Sequence, residues 1–154
     1  MNTIKLFSDI NTRTTDIFRR ADDTQPLYIA LDSVGGSVYE AFKIYDLIRE
    51  RQQPTFINVV GYCYSAASVI LLAASAERRT ASANASFLIH SPFLCEQEPD
   101  THLTIEKAES YTAEMKAMDN KIRALYLART TADEVTINNL MKAETIFDAN
   151  SAKN

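Results

Sequence analysis

Histidine occurs twice in the 154 residues, at His90 and His102, and glycine three times, at Gly35, Gly36 and Gly61. An average composition, with about 7% glycine, would hold roughly 11. A chain that keeps so few needs them where a Cβ would block a backbone shape or a close approach. Gly61 stands four residues before Ser65, and Gly35-Gly36 closes the stretch Asp32-Ser33-Val34. Serine acyl transfer requires a hydroxyl on a sharp turn, an imidazole to take its proton, an acid to orient that imidazole, and backbone amides aimed at the oxyanion. Ser65 is the candidate nucleophile. The Ala66 amide, at the start of an expected helix, and the Gly36 amide are candidate oxyanion donors. His90 is the candidate base, because His102 lies beyond the part of the chain that carries the glycine loops. Each has an ordinary alternative: Ser65 as a helix cap, His90 as a hydrogen-bonded core histidine, Gly35-Gly36 as a plain turn. No Lys follows those glycines at P-loop spacing and no third glycine completes a dinucleotide fingerprint. Cys63 and Cys95 have no metal-site spacing with His102 and form no disulfide framework, so both are expected as reduced thiols, with neither metal nor cofactor.

The elements that must position these residues alternate strand and helix. Ile4 to Phe7 is a short apolar run, and Thr12 or Thr14 can cap a helix through Arg20. Leu27 to Leu31 has the near-continuous hydrophobicity of a buried parallel strand. Val38, Ala41, Phe42, Tyr45 and Ile48 recur at helical spacing between Val38 and Arg51. Thr55 to Val60 reads as the next buried strand, Gly61 to Tyr64 as a loop, and Ser65 to Ala76 as a helix. Ser86 to His90 is a further short strand. Successive βα units predict an α/β fold with a largely parallel sheet, and ligands then gather at the carboxyl ends of the strands, where both glycine loops and His90 fall.

After Pro99 the pattern is helical. Ile105, Ala108, Tyr111, Met115, Met118, Ile122 and Leu125 step by three or four behind Thr104 as a cap, which predicts about six turns. Thr131 to Glu134 has capping-box spacing for a helix ending near Met141, and Asp148 can cap a third. The long amphipathic helix is expected to bury its stripe on another subunit. Lys plus Arg number 16 against 20 Asp plus Glu, a net charge of -4 that excludes a basic field for nucleic acid. The longest mainly apolar run, Ala66 to Ala76, is too short to span a bilayer, and Met1 opens a polar stretch. A cytoplasmic, single-domain protein without a membrane anchor is the expectation.

Three of these stretches resemble a known family, the proteolytic subunit of Clp protease, an ATP-dependent serine peptidase. Leu31-Asp32-Ser33-Val34-Gly35-Gly36-Ser37-Val38 with Ile44-Tyr45-Asp46 is similar to the family's Asn-Ser-Pro-Gly-Gly-Ser stretch and its helix. Gly61-Tyr62-Cys63-Tyr64-Ser65-Ala66-Ala67 resembles the nucleophile turn Gly-x-Ala-Ala-Ser-Met-Gly, and Phe87-Leu88-Ile89-His90-Ser91-Pro92 the strand with the catalytic histidine. The resemblance implies the Clp/crotonase-like ββα superhelix, with an α/β core over 1–95, a protruding helical handle over 96–130 that joins two stacked rings, and a C-terminal helical part over 131–154. It makes Ser65 the nucleophile, His90 the base, and Gly36 and Ala66 the oxyanion donors. It also sets Gly36-Ser37-Val38 and Pro92-Phe93-Leu94 beside an extended peptide added as a strand. Glu144 occupies the place of the family's acid, in a Glu-Thr-aromatic-like pattern also found in phage and prophage members, with Asp148 in reserve. Polypeptide substrates, a homo-oligomeric chamber and an AAA+ unfoldase partner are implied with it.

The chain departs from the family at Val34, where proline is usual, and at Ala66-Ala67 in place of Met-Gly, which points to a tighter oxyanion loop and low activity. By the resemblance, the family's axial N-terminal segment and its Tyr-Gly-Leu-Ile-Asp-like strand fall outside residues 1–154, so within these residues docking to an unfoldase and a firmly anchored acid are not expected. Other functions compatible with the same residues are an inactive structural ring subunit, a phage-type maturation protease, and an acyl-CoA enzyme of the crotonase type.

Overall fold

The computed structural model describes residues 2–93 and 103–153. Three parallel strands open it: β1 (Asn2–Leu6), β2 (Leu27–Ser33) and β3 (Thr55–Tyr64). Between them run α1 (Thr12–Arg19) and α2 (Val38–Glu50), and α3 (Ala66–Leu71) follows β3. Two short strands come next, β4 (Arg79–Ala81) and β5 (Ser86–Leu88), both parallel to β3. The long helix α4 (Ile105–Arg129), α5 (Glu134–Ala143) and β6 (Phe147–Asp148) complete the chain, with β6 antiparallel to β5.

The strand order β1-β2-β3-β5-β6 advances in one direction. Right-handed crossovers therefore place the connecting helices on one face of the sheet. The registers Ile4 opposite Ile29 and Leu31 opposite Val59 line up the buried side chains on that face. The other face is open, so β2 alternates instead of being buried throughout as its apolar run predicts. Tyr28 is 39% exposed and stacks on Phe56 of β3, ring centroids 5.1 Å apart.

Four local expectations are revised. Asn11, not a threonine, caps α1, in a capping box with Thr14, and Asp133 rather than Thr131 caps α5. The stretch Gly61 to Tyr64 is strand, carried through a bulge: Leu31 pairs with Val59 but Ser33 with Cys63. The Asp32 carboxylate fills that gap and accepts the Tyr62 amide at 2.7 Å. A Cβ on Gly61 would lie 2.4 Å from Asp32 Oδ1, so a side chain there would have to push the carboxylate off the Tyr62 amide. Helix α3 stops at Leu71 because two guanidinium groups take the carbonyls that a longer helix would use. Arg129 donates to Leu72 O at 3.1 Å and Ala74 O at 2.9 Å, and Arg79 donates to Ala74 O at 2.8 Å. Burial and the neighbouring Arg129 charge bring Arg79 down to about 10. The chain then makes a 3₁₀ turn at Ala76–Arg78 and enters β4, an element absent from the sequence pattern.

Helix α4 begins after Thr104, as expected, and runs for 25 residues, about seven turns. Its stripe is buried only toward the end, at Ile122, Leu125 and Tyr126, whereas Ile105 is 76% exposed. Among the described residues no helix is long and apolar enough to cross a membrane.

Candidate active site

Ser65 joins β3 to α3 with φ 54° and ψ -126°, one of two non-glycine residues with positive φ among those described. Such a conformation costs on the order of 1–3 kcal/mol and persists only where the surroundings impose it. Three contacts do so. The Ser65 amide donates to Leu88 O of β5 at 2.8 Å. Its carbonyl accepts from both the amide (3.0 Å) and the hydroxyl (2.6 Å) of Ser68. Because the Ser68 proton is used there, the buried Tyr126 hydroxyl donates to Ser68 Oγ at 2.6 Å, and burial holds that phenol well above its usual range. Gly35 closes the third side. With φ 104°, any Cβ on it would stand 2.8 Å from Ser65 Cβ and 3.1 Å from the Ala66 amide nitrogen.

The ordinary reading of Ser65 as a helix cap does not hold, since its side chain makes no capping hydrogen bond. Among the described residues its hydroxyl is unengaged. The Ile10–Gly36 bridge uses the Gly35 carbonyl (2.8 Å) and the Ser37 amide (2.9 Å), so the Gly36 amide points away from it. Neither that amide nor the Ala66 amide has an acceptor among the described residues. An uncapped hydroxyl thus sits beside a glycine loop with two free backbone donors in the neighbourhood, which is a geometry able to receive an anionic oxygen.

His90 lies two residues beyond β5, whose Leu88 pairs with Tyr64 and holds the Ser65 amide, so both residues leave the same end of the sheet. Nδ1 of His90 is 2.7 Å from Ser91 O, and its ring stacks on Phe93 with centroids 5.3 Å apart. Among the described residues no hydrogen bond joins His90 to Ser65 or to a carboxylate. Glu144 is the left-handed cap of α5, with φ 50°, and is exposed. Asp148 pairs with Ser86, and its carboxylate accepts the Ser151 amide at 2.8 Å, which keeps it below its ordinary value. Ser37 caps α2 through the Glu40 amide, Val38 opens that helix, Pro92 is half-buried and Phe93 is 67% exposed. Leu94, Cys95 and His102 lie outside the described residues. Sequence reasoning missed Ser68 and Tyr126; a serine one helical turn after Ser65 is the only local signal for the first, and the second comes from 58 residues away.

Residues 11–154 match the family model Clp protease. Relatives include the ATP-dependent Clp protease proteolytic subunit 2 of Treponema denticola, 39% identical over 72% of this chain and 53% of the relative. The ATP-dependent Clp protease proteolytic subunit 1 of Chlamydia abortus is 28% identical over 84% of this chain and 66% of its own length. The chain thus spans about half the length of the first of these. A ClpP1 mutant from Listeria monocytogenes has the same fold, with a TM-score of 0.82 at 22% identity over 99% of this chain and 85% of that one. By the family match across residues 11–154, the chain belongs to the Clp protease family.

Proposed function

We propose that the chain is a serine-type endopeptidase subunit that cleaves unfolded or extended polypeptides, with Ser65 as nucleophile and His90 as general base. The observation that carries this is Ser65 itself: a strained, uncapped serine at a strand-to-helix turn beside free amides at Gly36 and Ala66. His90 would take the Ser65 proton as the hydroxyl attacks the peptide carbonyl, the Gly36 and Ala66 amides would hold the oxyanion, and His90 would return the proton to the leaving amine. Water hydrolyses the acyl-enzyme by the same route.

Glu144 is the acid of this proposal. The β5–β6 pairing sets Ser86 opposite Asp148 and Phe87 opposite Phe147. Were that antiparallel register continued past these two pairs, Glu144 would come opposite His90, within the reach of cross-strand neighbours. Asp148 is already engaged at its turn. Ser37 and Val38 on one side and Pro92, Phe93 and Leu94 on the other would flank the peptide as an added strand.

The relatives are named as ATP-dependent proteolytic subunits, which supports a multi-subunit assembly with an ATP-driven partner; in this reading the assembly is cytoplasmic, the α4 handles pair two rings and an AAA+ unfoldase feeds it. Incubation of an unfolded polypeptide with the protein tests the reading. Cleavage that Ser65→Ala abolishes, and Glu144→Ala lowers, is expected. Equal cleavage by Ser65→Ala would overturn it.

A further inference from the structure

We infer that Arg123 of α4 is a positioning residue for His90, acting through Ser91 to set which ring nitrogen carries the proton. The inference rests on the proposed role of His90 as general base. Nε and Nη2 of Arg123 grip both oxygens of Asp119, at 2.6 and 3.4 Å, one turn earlier on the same helix. That bidentate clasp fixes the plane of the guanidinium. Its remaining donors reach two other segments: Nη2 donates to Ser91 Oγ at 3.2 Å, and Nη1 donates to Asn138 Oδ1 of α5. One half-buried side chain therefore ties the residue after His90 to both helices that follow it.

The consequence lies at the imidazole. A carbonyl oxygen only accepts, so the 2.7 Å contact between His90 Nδ1 and Ser91 O requires the proton on Nδ1. In the neutral ring Nε2 is then bare, which is the state a general base needs. In this arrangement a backbone carbonyl holds the Nδ1–H, the proton that Glu144 would accept on reaching His90, and it stays in place because Arg123 anchors its residue. Phe93 stacking restricts the ring from the other side. A residue that only stapled α4 to α5 would need Asp119 and Asn138 but not Ser91.

With two histidines in the chain, ¹⁵N-histidine labelling in a His102→Gln background reports His90 alone. At a pH above the imidazole titration, the assembled protein should show a protonated Nδ1 and a bare Nε2. Arg123→Met and, separately, Ser91→Ala should both shift the population toward the Nε2-protonated form that free histidine favours. In kinetics each should lower kcat against a peptide substrate by about tenfold, corresponding to about 1.36 kcal/mol, with KM unchanged and the double variant no worse than either single one. An Nε2-protonated ring in the unaltered protein, or one unmoved by Ser91→Ala, would overturn the inference. Ser91→Ala keeps the helix clasp intact, so it decides the matter even if Arg123→Met fails to fold. The nitrogen spectrum is read without turnover, so an inactive protein would count against the peptidase reading and not against the role of Arg123.

Discussion

Ser65 is held in its turn by atoms that have no other reason to be so close. Gly35 meets it edge to edge, and an added methyl there would strike Ser65 Cβ and Tyr64 O, both at 2.8 Å, in a backbone conformation that L-residues avoid. Gly35→Ala is expected to cost on the order of 1–3 kcal/mol and to abolish reaction at Ser65, checked by denaturant unfolding and by labelling of the serine. Ser68→Ala leaves the buried Tyr126 hydroxyl without its acceptor, and a loss of about 1–3 kcal/mol in the same unfolding measurement is expected. The scarcity of glycine led directly to Gly35, Gly36 and the Ser65 turn. Ser68, Tyr126 and Arg123 were not legible in the sequence, because their meaning depends on partners 32 to 58 residues away.

At the scale of elements, α1 and α2 are joined by a buried polar contact as well as by packing. Glu40 accepts from Thr15 Oγ1 and from Lys43 Nζ, both at 2.6 Å. Lys43 first, and Thr15 second, hold its carboxyl below the ordinary 4.5. A depressed carboxylate contributes stability that is fully present above that ordinary value and is lost as pH falls through its folded value. Glu40→Gln should therefore unfold at lower denaturant than the unaltered protein at neutral pH, and the gap should narrow as pH drops below 4.5. A gap independent of pH would show that the charge is not what matters. The helices and most strands followed from apolar spacing, since that spacing is what the core selects. The end of α3, strand β4 and the full length of β3 did not. They are set by Arg79, Arg129 and Asp32 binding backbone groups, and no local pattern announces such contacts.

Over the whole molecule, the one-directional strand order covers one sheet face and leaves the other open, and α4 starts its stripe with Ile105 exposed and Ala108, Tyr111 and Met115 only half-buried. Lys121 over the Phe42 ring, at 3.9 Å, and the buried Ile122 mark where the helix rejoins α2 and the core. If that stripe joins two rings, Tyr111→Glu together with Met115→Glu should halve the particle mass in sedimentation while each subunit stays folded. An unchanged mass would place the ring contact elsewhere. The central claim is that Ser65 is an activated nucleophile served by His90. Intact-mass analysis after treatment with a fluorophosphonate probe tests it most directly. One adduct on the unaltered chain and none on Ser65→Ala or His90→Ala is expected. An unaltered protein that is folded and assembled yet takes up no probe would contradict it.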